Sequence, residues 1–466
     1  MRHQKIFLIA ALAAALTVSQ SAMSAGFAIS AQSAFGLGNA YAGNAAVASD
    51  ASTVLTNPAG IFELDHSVFA ASLPFTSSNA YYTDRGSLTN SLFGAQPVTV
   101  ADGRNTSLDQ RSVTPTPALY YARKLTDQWA FGLGLSIPFG ASSDYGDNWI
   151  GRYQAVETAM TVFDINPTVA YRINDKVSVG GGLSIQIASA LLTSKLDSGA
   201  TCLGISNRAE LPITTCGEQF GLTPNDPGLD SDVELDGSGT GVTFNLGVLV
   251  KPRDWTKIGV AYRHGTEHQL KGDAKFTNNP ALDAFVSVLP EGSQPVQNTS
   301  TTISANLPAT LDFSVAQMAN EKLEVLGTIK WTQWSSFEEL TSDFDNPAQP
   351  SSALDFSWED TVTLSTGVNY TLNEKTTLRA GFSFDQSPIP SPRLRSPRGP
   401  ANDRYWYSFG GTYKFNKNIS ANAAYTHIQI DESAIDNPGA EGNPTLRGSY
   451  KFDVNLFAFQ LNWHFV

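Results

Sequence analysis

Two short groups of residues carry side chains that could do chemistry together. Cys202 and Cys216 lie in one polar stretch, where two thiols can form a disulfide or share a metal ion. His264 and His268, with Glu267 between them, would lie on one face of a helix and could bind a metal ion there. On a strand, four residues span about 13 Å, which is too far for both imidazoles to reach one metal ion. We therefore predict no metal site and no cofactor.

The cysteine pair favours a structural role in an exported protein. No histidine lies near Cys202 or Cys216, so a mixed Cys/His metal site is disfavoured. Thiols that reach an oxidising compartment usually pair. A disulfide that closes a loop of this size restricts the unfolded chain by about 3 kcal/mol. We predict a Cys202–Cys216 disulfide that fastens a loop.

Enzymatic and nucleic-acid-binding functions find no support in the sequence. It contains no G-x-S-x-G, H-E-x-x-H, P-loop or dinucleotide-binding glycine motif. The formal net charge of the 466 residues is -13, whereas nucleic acid requires a basic surface. Charged residues make up only 16% of the chain and glycine is abundant, as in β-rich membrane proteins. We predict that the protein is not an enzyme and binds no nucleic acid.

The beginning of the chain has the pattern of a secretory signal. Arg2 and Lys5 precede an apolar stretch over residues 6–18, which is too short to span a bilayer as a helix. Small residues precede a cleavage point that we place after Ser24. We therefore predict that residues 1–24 are a signal peptide; the alternative is a short buried helix.

The rest of the chain alternates apolar and polar residues with a period of two, which is typical of strands with one apolar face. Six short turns rich in Asn, Asp and Lys are separated by long connections near residues 76–114, 140–155, 195–238, 271–300, 341–355, 386–402 and 431–448. Short turns at one end, long loops at the other and an even strand count are typical of outer-membrane barrels. We predict an all-β fold, a 14-stranded antiparallel transmembrane β-barrel of the Gram-negative outer membrane, over residues 64–466.

Residues 25–63, which we call the hatch, do not follow the strand pattern. They are rich in Ala, Gly and Ser and include the turn-forming pair Asn57-Pro58. A compact segment of this kind ahead of a barrel is best interpreted as a plug inside the lumen. A mobile periplasmic arm is the alternative.

The hatch sequence resembles that of the long-chain fatty acid outer-membrane transporter (FadL) family, which also includes importers of aromatic hydrocarbons. The resemblance rests on Gly26-Phe27, residues 33–43 (SAFGLGNAYAG), residues 50–53 (DAST) and residues 57–60 (NPAG), followed by weaker matches in the same order along the chain, among them Trp331, Trp334, Asp385 and Trp406. It implies a plugged 14-stranded barrel. It also implies passive, ligand-gated uptake of long-chain fatty acids, with lateral release into the membrane at a kink in the third strand.

The resemblance also implies which residues form the gate and the pocket. Asn57, Pro58 and Ala59 match the family's hatch motif, and Phe27 corresponds to an aromatic residue that fills the inner pocket. Pro138 lies in the third strand, where a residue without an N–H group causes a bulge or simply ends the strand. We expect the bulge to lie beside Asn57-Pro58-Ala59, and keep the strand end as the alternative.

The cation that would hold a fatty acid carboxylate is not fixed by the sequence. Lys195 lies close to where the family places an arginine, but the second expected cation is replaced by Thr341. This departure keeps neutral or aromatic hydrocarbons open as substrates. Arg393, Arg395 and Arg398 form a basic loop that could bind the carboxylate, or else anionic lipopolysaccharide. We expect a monomer; a general porin and an adhesin or phage receptor are the remaining alternatives.

Overall fold

A computed structural model describes residues 26–89, 95–100, 107–212, 214–440 and 443–465. The predicted signal peptide lies outside these residues. The described strands form one closed antiparallel sheet, because the first strand pairs with the last from Ser67↔Phe465 to Asp84↔Gly448. The predicted 14-stranded barrel is confirmed.

Eight of the fourteen barrel strands are continuous, and the other six consist of two segments each. The continuous strands are β1 (Ser67–Asp84), β4 (Trp129–Asp144), β5 (Glu157–Asn174), β6 (Val177–Leu196), β7 (Ser231–Arg253), β16 (Thr376–Asp385), β17 (Arg404–Lys414) and β20 (Leu446–Phe465). The divided strands are β2 (Ser107–Pro115) with β3 (Ala118–Lys124), β8 (Thr256–Arg263) with β9 (Thr266–Thr277), β10 (Thr299–Leu307) with β11 (Thr310–Met318), β12 (Leu323–Thr332) with β13 (Glu339–Phe344), β14 (Ser352–Asp355) with β15 (Thr361–Asn373), and β18 (Ile419–Ile430) with β19 (Ser433–Asn437).

The six predicted short turns all join consecutive barrel strands at one end of the barrel. The long connections are shorter than predicted, because the strands continue into them. β1 reaches Asp84 and β7 begins at Ser231, both inside stretches that we expected to be loops. Those strand ends are rich in Ser, Asn and Asp, so their composition is that of a loop although their hydrogen bonding is that of a strand.

The period of two separates a lipid-facing surface from the lumen. In β20, the exposed Phe457, Phe459, Leu461 and Trp463 alternate with the buried Ala458, Gln460 and Asn462. Apolar side chains outside and polar ones inside are the arrangement that a bilayer selects. No helix in the described ranges has the length and apolar character needed to cross a membrane.

The hatch lies inside the barrel. It contains helix α1 (Ala34–Leu37), helix α2 (Thr53–Thr56) and a 3-10 turn over Pro58–Glu63. Small residues allow close contact with the wall: Ala34, Ala46, Ala51 and Ala59 are at most 1% exposed. The wall is also small at these contacts, since a side chain added at Gly259 or Gly381 would collide with the hatch backbone.

A separate apolar cluster joins two of the outer loops. Helix α3 (Ser198–Arg208) follows β6, and helix α4 (Pro280–Ser287) follows β9. Their buried Leu203 and Phe285 belong to one cluster that also contains both cysteines. Cys202 and Cys216 form a disulfide with the two Cα atoms 5.9 Å apart, the pairing that the sequence predicts.

Candidate functional site

Phe27 fills an aromatic pocket in the outer half of the lumen. We define the aromatic pocket by Phe139, Trp334, Phe337, Phe356 and Trp358. The Phe27 ring lies 4.8 Å from Phe337 and 5.1 Å from Trp334, in edge-to-face arrangements. Such aromatic pairs contribute about 0.5–1.5 kcal/mol each beyond the area that they bury. Phe27 thus occupies a site whose shape and chemistry would suit another apolar group.

The aromatic side chains of this pocket face the lumen because several of them come from the breaks in the divided strands. Trp334 and Phe337 come from the break between β12 and β13, and Trp358 from the break between β14 and β15. On a continuous strand, Trp334 and Phe337 would face opposite sides because they are three residues apart, so one of them would face lipid. Trp334 is only 1% exposed and lies inside the barrel. The two breaks meet, since Phe356 N and Ser357 N both donate to the Glu338 carbonyl at 2.8 Å, and local composition gives no signal for this contact.

The barrel wall has a gap at its third strand, β4. Between Ser136 and Phe139 the register with β5 shifts, because β4 has one more residue there than its partner. Toward the second strand, pairing stops at Leu119↔Leu135. Beyond that point β2 pairs with β1, and no ladder among the described residues joins β2 to β4. We call this opening the strand gap; Pro138 lies within β4, so the alternative that it ends the strand is wrong.

The start of the hatch covers the exposed edge of β4 at the strand gap. Ile29 N donates to the Pro138 carbonyl at 2.8 Å, and Gly140 N donates to the Phe27 carbonyl at 2.9 Å. Gln32 Nε2 donates to the Ile137 carbonyl at 2.7 Å. The segment that places Phe27 in the aromatic pocket is therefore the same segment that pairs with the bulge.

Asn57, Pro58 and Ala59 do not lie at the bulge, contrary to our expectation; they pack on β6 and β7. Asn57 is fully buried and its Nδ2 donates to the carbonyls of Ala45 at 2.7 Å and Val248 at 3.0 Å. Its Oδ1 accepts from Ala59 N at 3.1 Å, which caps the 3-10 turn. A Cβ at Gly247 would lie 2.0 Å from that oxygen, so only glycine permits this approach. These contacts fix the fold of the hatch and its position against the wall.

Lys195 lies at the outer end of β6 and is already paired. Its ammonium group lies 3.4 Å from Asp147 and forms a closer ion pair with Asp232. One cation between two carboxylates gives this position a net negative charge. A fatty acid carboxylate would have to compete with both acids there.

The three arginines of the basic loop differ in exposure. Arg393 is exposed, whereas Arg395 is buried and donates to the carbonyls of Ala401 and Ala434. Arg398 donates to Glu157 and Thr193 carbonyls at 2.9 and 3.0 Å. Burial lowers the pKa of Arg398 to about 10, which keeps it charged at neutral pH. Two of the three guanidinium groups thus hold the outer loops together.

A second space, the inner cavity, lies between the aromatic pocket and the hatch and has a volume of about 170 Å³. Phe139 and Trp334 line it, as do Tyr41 of the hatch and Pro138 of the bulge. Unlike the pocket, it is bordered by charged side chains, namely Arg263, Asp312, Lys330 and Asp385. The inner cavity therefore connects an apolar site, a polar wall and the strand gap.

The end of the hatch is fastened by an ion-pair triad. The two Glu63 oxygens each lie 2.8 Å from an ammonium group, one from Lys251 and one from Lys257. Burial raises the pKa of Glu63, but the two ammonium groups outweigh it, so the pKa lies below its usual range. A carboxylate of this kind stabilises the folded state above its unfolded pKa of about 4.3 and loses that effect as the pH falls through the folded pKa.

We expect the Glu63→Gln variant to loosen the end of the hatch at pH 7, and we expect its difference from wild type to shrink as the pH falls through the lowered folded-state pKa of Glu63. Amide hydrogen exchange over residues 58–63, compared between variant and wild type at the same pH, measures this. Asp65→Asn is the matched control, because Asp65 is exposed and nearby. A difference between variant and wild type that did not shrink as the pH was lowered would show that the ion pairs are not the cause.

Comparison with known proteins shows that this chain matches one protein family over most of its length. The family described as outer membrane protein transport protein (OMPP1/FadL/TodX) matches residues 15–465. Outer membrane protein P1 of Haemophilus influenzae is 28% identical over 97% of this chain and 98% of its own length. The long-chain fatty acid transport protein of Escherichia coli K12 is 26% identical, with both chains fully covered.

Solved structures share the fold. A FadL homologue from Pseudomonas aeruginosa superposes with a TM-score of 0.83 at 22% identity, covering 95% of this chain and all of that one. The toluene transporter TodX of Pseudomonas putida gives 0.67 at 18% identity, with coverage of 95% and 100%. Members of this family are transporters and channels rather than enzymes. The chain belongs to the outer membrane protein transport protein (FadL/TodX) family and is an outer-membrane β-barrel that transports hydrophobic compounds.

Proposed function

We propose that the protein imports long-chain fatty acids by passive, ligand-gated diffusion and releases them laterally into the outer membrane through the strand gap. The ligand enters from the outer loops and takes the place of Phe27 in the aromatic pocket. It then leaves through the opening between the second and third strands. The gate residues in this proposal are Phe27 and Pro138, and Asn57, Pro58 and Ala59 support the gate by fixing the hatch against β6 and β7.

One observation carries the proposal: the hatch segment that fills the aromatic pocket also pairs with the bulge. Displacing Phe27 moves its own carbonyl group, which accepts from Gly140 N. It also moves Ile29, whose N–H group donates to the Pro138 carbonyl. Occupation of the pocket and uncovering of the strand gap are therefore coupled through three consecutive residues. No energy source is required, because binding of the ligand supplies the free energy that moves the segment.

Lateral release suits an apolar ligand. An acyl chain gains roughly 0.8 kcal/mol for each CH₂ group that is removed from water. A route that led through the hatch into the periplasm would return the whole chain to water. A route through the strand gap keeps it in apolar surroundings. All of these parts belong to one chain, so we propose that the monomer is the functional unit.

Import of neutral or aromatic hydrocarbons is the second candidate. The aromatic pocket consists of five aromatic side chains with aliphatic neighbours such as Leu307 and Ile389, and Lys195 is held by two carboxylates. A pocket of this composition binds toluene-like molecules without the help of a cation. Lipopolysaccharide contact by the basic loop is a further part of the proposal and would rest on the exposed Arg393.

Uptake measurements separate the two candidates. We expect a strain without its own long-chain fatty acid importer to accumulate labelled oleate when it carries this protein, and to accumulate labelled toluene no faster than the empty strain. The Phe27→Ala variant should still assemble and bind oleate, since it leaves the pocket open. Accumulation of toluene without oleate would assign the protein to hydrocarbon import.

A further inference from the structure

Among the charged side chains that line the inner cavity, Lys330 and Asp312 differ from the others in lacking a partner. Arg263 is paired with Asp164 at 3.0 Å, and Asp385 with Arg404 at 2.7 Å. Lys330 and Asp312 face each other on β12 and β11 in register. In the described parts of the chain, however, no ion pair within 4.0 Å and no hydrogen bond of either side chain is found.

The side chain of Lys330 faces the lumen because side chains along β12 alternate between lumen and lipid. Thr328 and Thr332, two residues away on either side, are buried, and Thr328 contacts the hatch by accepting from Gly43 N at 2.8 Å. Ile329 between them is exposed toward lipid. Lys330 therefore points into the lumen just above the hatch, where it shares the inner cavity with Phe139 and Trp334 of the aromatic pocket.

We propose that Lys330 is the inner anchor for the carboxylate of an amphiphilic ligand whose acyl chain occupies the aromatic pocket. This inference rests on the proposed import of fatty acids and assigns the head group to a residue other than Lys195. A carboxylate left inside an apolar pocket without a partner is strongly disfavoured. The inner cavity offers it an ammonium group and several hydroxyl groups next to the same pocket.

Local charge favours Lys330 over Lys195. At Lys195, two carboxylates already surround one ammonium group, so an incoming carboxylate is repelled. At Lys330 the only facing acid in register is Asp312, and the two groups have not formed an ion pair. The ammonium group can therefore donate to a ligand oxygen without breaking an existing contact. Asp312 weakens that interaction but does not occupy the site.

The test compares oleate with its methyl ester, which has the same chain and no charge. Binding would be followed in a non-ionic detergent by quenching of tryptophan fluorescence. A hydrogen bond to a charged group is worth roughly 1.5 kcal/mol or more, so we expect Lys330→Met to weaken oleate binding about tenfold and to leave the ester unchanged. Asp312→Asn should act in the opposite direction and tighten oleate alone.

Lys195→Met is the matched control and should change oleate affinity less than about twofold, because the ammonium group is already held by two exposed carboxylates. Each variant is first checked for barrel assembly by its heat-dependent migration in gels. Equal effects of Lys330→Met on acid and ester, or an acid-selective effect of Lys195→Met only, would overturn the assignment. Binding of the ester without the acid by the wild type would also overturn it while leaving hydrophobic transport intact. Binding of neither would contradict the proposed import of fatty acids itself.

Discussion

Deleting Pro138 should reduce oleate uptake by roughly tenfold or more while leaving oleate binding in detergent nearly unchanged. β4 has one extra residue between Ser136 and Phe139 relative to β5. Removing it allows regular pairing, and it leaves Ser136 and Phe139 facing the lumen as before, because strand faces alternate. The edge of β4 can then approach the second strand, which closes the strand gap.

The control for this deletion is Pro138→Ala, which keeps the extra residue and should keep most of the uptake. Uptake of labelled oleate by whole cells and binding by the purified protein are measured on the same two variants. If the deletion imported oleate at the wild-type rate, release would have to follow another route. If it lost binding as well, the bulge would be part of the pocket rather than of the exit.

Replacing Asn57 by alanine should impair uptake severalfold and loosen the hatch, with the barrel still assembled. The variant removes two donated hydrogen bonds and one accepted one, all in a fully buried place. Each buried partner left unsatisfied costs about 1–3 kcal/mol, which is a large loss for a segment of this size. The barrel is held by its own strand ladders and does not depend on these bonds.

Hydrogen exchange over residues 45–60, together with oleate uptake, measures this effect. Asn44→Ala is the matched control, because Asn44 is in the same segment and its side chain forms no hydrogen bond among the described residues. Unchanged exchange in Asn57→Ala would show that the rest of the hatch suffices to hold the segment in place. Failure of the variant to reach the outer membrane would mean that the hatch is needed for assembly, and the role that we assign would be wrong.

The features of this protein that repeat along the chain could be predicted from its sequence. The period of two, the short turns such as residues 372–375 and the small-residue hatch each depend on neighbours in sequence, and they predicted the strands, the barrel and the plug. The match of residues 33–43 to a known family added the transport of hydrophobic compounds. The disulfide could be predicted from the presence of two thiols in one stretch of an exported protein, because thiols in an oxidising compartment usually pair.

The site could be predicted only in part, because it depends on contacts between distant segments. The residues next to Lys195 in sequence do not indicate that Asp147 and Asp232 will pair with its ammonium group. The lumenal position of Trp334 depends on a break in strand pairing, which composition did not reveal. Lys330 looked like any lysine near a strand end, and only the register of β11 and β12 places it in the inner cavity.

The lengths of β6 and β7 have a consequence for where capture takes place. These strands have 20 and 23 residues, whereas a tilted strand crosses a bilayer with about 9–11. At about 3.3 Å per residue and a tilt near 40°, the longer one reaches roughly 55 Å along the barrel axis, about twice the thickness of the hydrocarbon core. The outer rim and its disulfide-fastened helices thus stand well beyond the lipid head groups, within the layer of surface sugars. A dilute hydrophobic compound can therefore be bound from the medium at that height. It then passes the saccharide layer, which excludes hydrophobic molecules, inside the barrel wall.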